Sequence, residues 1–273
     1  MKTIVITGGS DGIGSAAAKQ LIELGHRVVI TGRNPEKTKK VADQLHIPYY
    51  VADFSKLSDV VKLAHELLKY PQIDVLANNA GGIMGKRTLT EDGFERTFQV
   101  NYLAEFLLTK LLMPKLIESK ATVIQTSSIA ANMFGSKFDV NDLNVTKDYS
   151  SEKAYGYAKL ENILFTRELN KRFAGKINPV AFHPGVVRTS FSSESNSVMK
   201  IIYRTPLKYL FTISSETSAK RLVNLALGEP GKDFQDGQVY DGRKLLPVKF
   251  QDPDSTVAEK LWNQSETMAS RFF

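Results

Sequence analysis

Thr7-Gly8-Gly9-Ser10-Asp11-Gly12-Ile13-Gly14 is the stretch that decides how this chain folds. It follows the short apolar run Thr3-Ile4-Val5-Ile6 and opens a segment, Ser15 to Leu24, whose apolar residues recur at helical spacing. A glycine-rich turn between a strand and a helix is the context a dinucleotide-binding loop requires. Gly8 and Gly12 permit tight turns, and Gly14 lets the helix pack closely on the strand. With Ser10, Asp11 and Ile13 they form a loop at a helix N-terminus, whose free N–H groups suit a pyrophosphate. The plainer reading is a glycine turn that binds nothing, and the glycines alone leave it open.

The rest of the chain extends the same pattern. Short β-branched runs are read as strands at Thr3 to Thr7, Val28 to Thr31, Pro48 to Val51, Ile73 to Leu76, Thr122 to Thr126 and Ile177 to Phe182. Between them, Leu57 to Leu68 and Leu103 to Leu116 carry helical periodicity. Strand and helix in alternation imply a parallel sheet covered on both faces. The expected fold class is therefore α/β, a single-domain Rossmann fold over residues 1–273, doubly wound with helices on both faces. The segment around 190–215 breaks the alternation with serines, aromatic and basic residues, and is read as a substrate lid. Phe191, Ile201, Ile202, Tyr203 and Leu207 would supply its apolar lining.

Composition excludes several other classes. Hydrophobic residues make up 42% and charged residues 24% of the 273, values ordinary for a globular protein. There are no cysteines, which removes disulfides and thiolate metal sites and fits a reducing, cytoplasmic setting. The histidines, His26, His46, His65 and His183, are too scattered for a ligand set, so no metal is expected. The N-terminal apolar run is too short for a signal peptide, and the mature chain is expected to start at Met1. No apolar stretch approaches the roughly 18 residues of a membrane span. The net charge of +7 is dispersed rather than clustered, so no nucleic-acid partner is expected and a small molecule is.

Further motifs follow in order: Asn78-Asn79-Ala80-Gly81, Asn101, Thr126-Ser127-Ser128, Tyr155-Gly156-Tyr157-Ala158-Lys159, and His183-Pro184-Gly185-Val186-Val187-Arg188-Thr189. Together with the first loop they resemble the short-chain dehydrogenase/reductase family along nearly the whole chain. The resemblance implies Asn101, Ser128, Tyr155 and Lys159 as catalytic residues. It implies Asn79, Ala80, Gly81, Tyr155, Lys159, Pro184, Gly185, Val187 and Thr189 as contacts to a nicotinamide cofactor, with Asp53 and Phe54 near its adenine. Each residue also has a plainer reading: Ser128 as a turn residue, Asn101 as a cap, and Asn78 and Asn79 as turn formers.

The chemistry is legible in part from spacing. Tyr155 and Lys159 are four residues apart in helix-compatible sequence, so they share a face. A phenol titrates near ~10, and an adjacent ammonium favours its ionised form, which suits proton transfer to or from a substrate oxygen. Tyr157 competes as the phenol, but Glu161 stands where its lysine would be. His183, between an apolar strand and a proline, reads as structural. By resemblance, Lys159 also binds the nicotinamide ribose, and Asn101 helps hold a proton-relay water.

Cofactor choice rests on Val28-Val29-Ile30-Thr31-Gly32-Arg33-Asn34. An acidic residue at the end of this strand would bind the ribose hydroxyls of NAD, but Gly32 stands there, and Arg33 follows with a guanidinium suited to a phosphate. NADP(H) is expected to be preferred, with NAD(H) the alternative. An exposed arginine at a strand end is the plainer reading. Ser128 and Tyr155 lie 27 residues apart, more than is usual in the family, so an insertion around Phe134 to Tyr149 is implied. With Lys159 to Leu169 and a late Leu261-Trp262, the chain looks like the retinol dehydrogenase and WW-domain oxidoreductase branch. That branch implies a lipophilic carbonyl or alcohol substrate, such as an aldehyde, ketone, retinoid or steroid. The family also pairs through the helices near Asn101 and Tyr155, implying a homodimer or homotetramer. Two other readings are a sugar-nucleotide epimerase or dehydratase, whose loop spacing and larger C-terminal domain do not match, and a dinucleotide sensor, against which Tyr155 and Lys159 both argue.

Overall fold

The computed structural model describes residues 1–185 and 213–273. Its strands are β1 (Thr3–Ile6), β2 (Arg27–Gly32), β3 (Tyr49–Val51), β4 (Val75–Asn78), β5 (Thr122–Thr126), β6 (Asn178–His183), β7 (Val239–Asp241) and β8 (Lys244–Leu245). They form one sheet in the order β3-β2-β1-β4-β5-β6-β7-β8, parallel except for the β7–β8 pair. Strands covered on both faces need apolar residues at successive positions, and every residue of β1, β4 and β5 is buried.

Alternation of side chains divides the core into two layers. Val5, Val29, Leu76, Val123 and Ala181 face α3 (Leu57–Leu68), α5 (Ala104–Glu118), α7 (Ser151–Phe173) and α9 (Thr256–Ala269). Ile4, Ile6, Val28, Ile30, Ala77, Ile124, Val180 and Phe182 face α1 (Gly12–Glu23), α2 (Pro35–Leu45) and α8 (Ser215–Leu227). Two short helices, α4 (Arg96–Phe98) and α6 (Ala130–Phe134), are also present among the described residues. This is the doubly wound Rossmann arrangement expected from the sequence.

The chain leaves β1 in one direction for β2 and β3 and returns on the other side as β4 and β5, so β1 and β4 are neighbours at the point where strand order reverses. Loops diverge from the carboxyl ends of such strands, and the crevice between them is where ligands bind in open α/β sheets. Among the described residues, Gly8, Asn79 and Ser128 follow β1, β4 and β5 at this edge.

Among the elements that periodicity did not reveal are two short strands and a helix near the C-terminus. β7 and β8 are two to three residues long and turn at Gly242, whose φ is +63°. α9 lies over the seam between α5 and α7: Trp262 meets Phe106 edge-on at 5.2 Å and packs on Phe165 at 5.8 Å and Phe173 at 6.2 Å. Lys110–Glu266 at 2.6 Å and Lys171–Glu259 at 3.1 Å tie its flanks to the same two helices. No helix among the described residues is long and apolar enough to cross a membrane.

Candidate active site

Thr7 joins the glycine loop to the segment after β4. Its Oγ1 accepts the backbone N–H of Asn79 and of Ala80, each at 2.9 Å, and its carbonyl accepts Asn79 Nδ2 at 2.9 Å. The glycines allow the close approach this requires. Gly8 holds φ +66°, and a Cβ there would lie 2.9 Å from Ala80 Cα; a Cβ on Gly14 would lie 2.4 Å from the Gly8 carbonyl oxygen. Asn78 points the other way, donating to Thr109 Oγ1 at 2.9 Å. Asn79 is thus a loop anchor through its side chain. Asp11 caps α1, accepting Gly12 N–H at 2.7 Å, and Ser10 and Ile13 are half-buried beside it.

At the end of β2, Gly32 is closely hemmed in: an added Cβ would stand 2.3 Å from Thr38 Oγ1 and 2.8 Å from Ser10 Oγ. Arg33 is exposed beside it, and Asn34 caps α2 by accepting Lys37 N–H at 2.9 Å. After β3, Asp53 accepts both the N–H and the hydroxyl of Ser55, at 3.0 and 2.8 Å. The Phe54 ring belongs to the core, and its carbonyl accepts Gln99 Nε2 at 3.1 Å, so any contact with a ligand falls to its remaining backbone.

Asn101, Ser128, Tyr155 and Lys159 come from three elements that meet beyond β4 and β5. Asn101 sits in a π-helical turn, Gln99–Leu103, that precedes α5; such turns recur at functional sites. Its side chain is fully committed, accepting Gly82 N–H at 2.9 Å and donating to the Gly82 carbonyl at 3.0 Å and the Thr97 carbonyl at 2.9 Å. Tyr155 and Lys159 lie on α7, both buried, with the ammonium 5.6 Å from the phenol ring centroid. Lys159 Nζ donates to the Thr126 carbonyl at 2.9 Å at the end of β5. Burial pushes its pKa below the ordinary lysine value, and the Glu105 carboxyl opposes that shift.

The structure separates neighbours that sequence left in competition. Ser127 is buried and donates to the Lys159 carbonyl at 2.8 Å, whereas Ser128 is half-exposed and accepts Ala130 N–H at 3.2 Å, keeping its own proton for another acceptor. Tyr157 donates to the Lys137 carbonyl, inside the segment read as an insertion. His183 is structural in its contacts: Nδ1 accepts Ile129 N–H at 3.4 Å, and burial lowers its pKa. The Pro184 carbonyl accepts Ser218 Oγ at 2.6 Å, and Gly185 holds φ +88° with Ile213 against it. Val187, Thr189 and residues 190–212 of the expected 190–215 lid lie outside the described residues. Thr7, Ser127 and Asn162 were not singled out from the sequence; the signals were a hydroxyl just before the first glycine, the first serine of the Ser-Ser pair and an amide one turn beyond Lys159.

The short chain dehydrogenase family model matches residues 2–200. The chain belongs to that family. As a short-chain dehydrogenase it is an oxidoreductase, and it resembles retinol dehydrogenases. It is 33% identical to human retinol dehydrogenase 13, with 97% of this chain and 83% of that protein covered. A Streptomyces sp. (strain C5) protein that carries the provisional name daunorubicin C-13 ketoreductase DnrU is 38% identical, over 97% of this chain and 91% of that one. An uncharacterised Mycobacterium paratuberculosis protein of known crystal structure superposes with a TM-score of 0.75 at 27% identity, covering 99% of this chain and 94% of that one.

Proposed function

We propose that the protein interconverts carbonyl and alcohol groups on a lipophilic substrate, an aldehyde, ketone or retinoid- or steroid-like compound, using NADP(H) in preference to NAD(H). The observation that carries this reading is the seating of a buried ammonium beside a phenol: Lys159 is fixed on the Thr126 carbonyl, 5.6 Å from the Tyr155 ring.

The residues fit a dinucleotide. Gly8 and Gly12 have positive φ, and Gly8, Gly14 and Gly32 stand where a side chain would collide with the loop itself. Gly8, Ser10, Asp11, Gly12, Ile13 and Gly14 would hold the pyrophosphate at the α1 N-terminus. Asp53 and Phe54 would flank the adenine, Asn79, Ala80 and Gly81 the adjoining ribose, and Pro184, Gly185, Val187 and Thr189 the nicotinamide amide. The cofactor, when bound, supplies or takes up the hydride. Tyr155 gives a proton to the carbonyl oxygen in reduction and accepts the alcohol proton in oxidation. Lys159 favours the phenolate by its charge and would bind the nicotinamide ribose, and Ser128 donates a hydrogen bond to the substrate oxygen. With its side chain spent on Gly82 and Thr97, Asn101 would hold a relay water through its main-chain carbonyl.

The NADP(H) preference is supported at Gly32, where an acidic side chain cannot enter without displacing Ser10 or Thr38, and at Arg33, exposed one residue on. The lipophilic substrate class is supported by the retinol and ketone named for two relatives. A cytoplasmic location fits the absence of cysteine. Because α9 occupies the seam between α5 and α7, a homodimer or homotetramer would form on other surfaces. The experiment is to follow NADPH absorbance against a panel of lipophilic aldehydes and ketones. Turnover with any of them is expected; NADPH binding without turnover across the panel would favour a dinucleotide sensor.

A further inference from the structure

Ser218 and Arg221 stand three residues apart on α8, and so on one face of that helix. They donate to two carbonyls in succession, Ser218 Oγ to Pro184 O at 2.6 Å and Arg221 Nη1 to His183 O at 2.8 Å. Ser218 is fully buried, and Arg221 Nη1 also donates to Asp241 at the end of β7, so the guanidinium is itself held in place. α8 is seated on the sheet by other side chains: Ala219, Leu222, Val223, Leu225 and Ala226 share a core layer with Val180 and Phe182. Apolar packing of that kind has no direction. A hydrogen bond to a carbonyl does, and two on successive residues fix the planes of their peptides. The same short segment is gripped elsewhere. His183 Nδ1 accepts the N–H of Ile129, the residue after Ser128, at 3.4 Å. Gly185 turns with φ +88°, and a Cβ there would stand 2.5 Å from Ile213 Cδ1, two residues before α8. His183, Pro184 and Gly185 are thus tied both to the Ser128 loop and to α8.

We propose that Ser218 and Arg221 are positioning residues for the nicotinamide end of the cofactor: by fixing the Pro184 and His183 carbonyls they fix the course of Pro184 and Gly185 relative to Ser128. This rests on the reading of Pro184 and Gly185 as contacts to the nicotinamide amide. Hydride transfer requires reacting atoms that are close and aligned, so a loosened anchor at this point lowers the rate as well as the affinity. Residues 8–14, Asp53 and Phe54, read as the holders of the pyrophosphate and adenine, take no part in the two bonds. The rest of the dinucleotide therefore keeps its site when either bond is removed.

The test compares wild type, Ser218→Ala and Arg221→Ala with two ligands: NADPH, and 2′-phospho-ADP-ribose, which has every part of it except the nicotinamide. In calorimetric titration each variant is expected to bind NADPH about fivefold more weakly, the worth of one hydrogen bond, and 2′-phospho-ADP-ribose within about twofold of wild type. In carbonyl reduction both variants are expected to lose about tenfold or more in kcat at saturating NADPH. Equal weakening of the two ligands would mean that the bonds only brace the fold, and unchanged NADPH binding in both variants would mean that they leave the nicotinamide alone; either result overturns the proposal. If Ser218→Ala does not fold, Arg221→Ala, whose side chain is partly exposed, decides it. A wild type that prefers NADH is tested in the same way with NADH and ADP-ribose. A wild type that binds neither pair overturns the dinucleotide reading and this proposal with it, a failure seen before any variant is made.

Discussion

The Tyr157 hydroxyl donates to the Lys137 carbonyl at 2.5 Å, which commits this phenol to the segment between α6 and α7. Phe138 packs edge-on against the same ring at 5.4 Å, and burial raises its pKa, so it is held as a neutral donor. Tyr157→Phe is therefore expected to cost about 1 kcal/mol of stability, the worth of one hydrogen bond, and to leave turnover within about threefold. Urea unfolding and a steady-state assay check it, and a large loss of kcat would move the proton-transfer role to Tyr157.

Arg33 is expected to read the cofactor's 2′-phosphate. Arg33→Ala should lower kcat/KM with NADPH by about 1.5 to 3 kcal/mol and leave NADH use nearly unchanged. Equal losses with both cofactors would reduce Arg33 to an exposed strand-end residue.

His183 gives the fold an acid-sensitive joint next to Ser128. Its Nδ1 must stay unprotonated to accept Ile129 N–H, and its folded pKa is depressed below the ordinary 6.5, chiefly by burial. The unfolded chain thus takes up the proton first as pH falls, so this contribution to stability is full above about 6.5 and is lost as pH drops through the folded value. Thermal melts between pH 8 and 5 are expected to show a steeper acid-side loss for wild type than for His183→Asn, which keeps an acceptor and cannot titrate. Parallel curves would remove the residue from this role.

How much of this was readable beforehand differs by element. Leu57–Leu68 and Thr122–Thr126 match the expected bounds because their apolar patterns run cleanly to their ends. α7 has no clean stripe since it is buried nearly all round, and its position came from Tyr155 and Lys159 instead. β7 and β8 are too short to carry a pattern, and α9 contacts elements more than a hundred residues earlier, a packing that local periodicity does not encode. In the site, spacing put Tyr155 and Lys159 on one helix face and the resemblance pointed to Ser128, but Ser127 and Asn162, which bond the Lys159 and Thr126 carbonyls, and Thr7, which bonds the segment after β4, act through backbone groups of distant segments.

Trp262 is the residue on which the attachment of α9 depends. It fills the space between Phe106, Phe165 and Phe173, and Arg172 and Lys110 lie over its ring at 4.7 and 5.0 Å. Trp262→Ala is expected to destabilise the fold by about 3 to 5 kcal/mol in chemical denaturation. A loss under about 1 kcal/mol would mean that α9 is not part of the core.

The most direct measurement is kcat for carbonyl reduction by Tyr155→Phe, taken beside its NADPH affinity from fluorescence titration. Loss of turnover by about a thousandfold or more is expected, with NADPH affinity within a fewfold of wild type, because the proton donor is gone and the dinucleotide crevice is intact. Turnover near that of wild type would contradict the assignment of Tyr155 as the group that moves the proton.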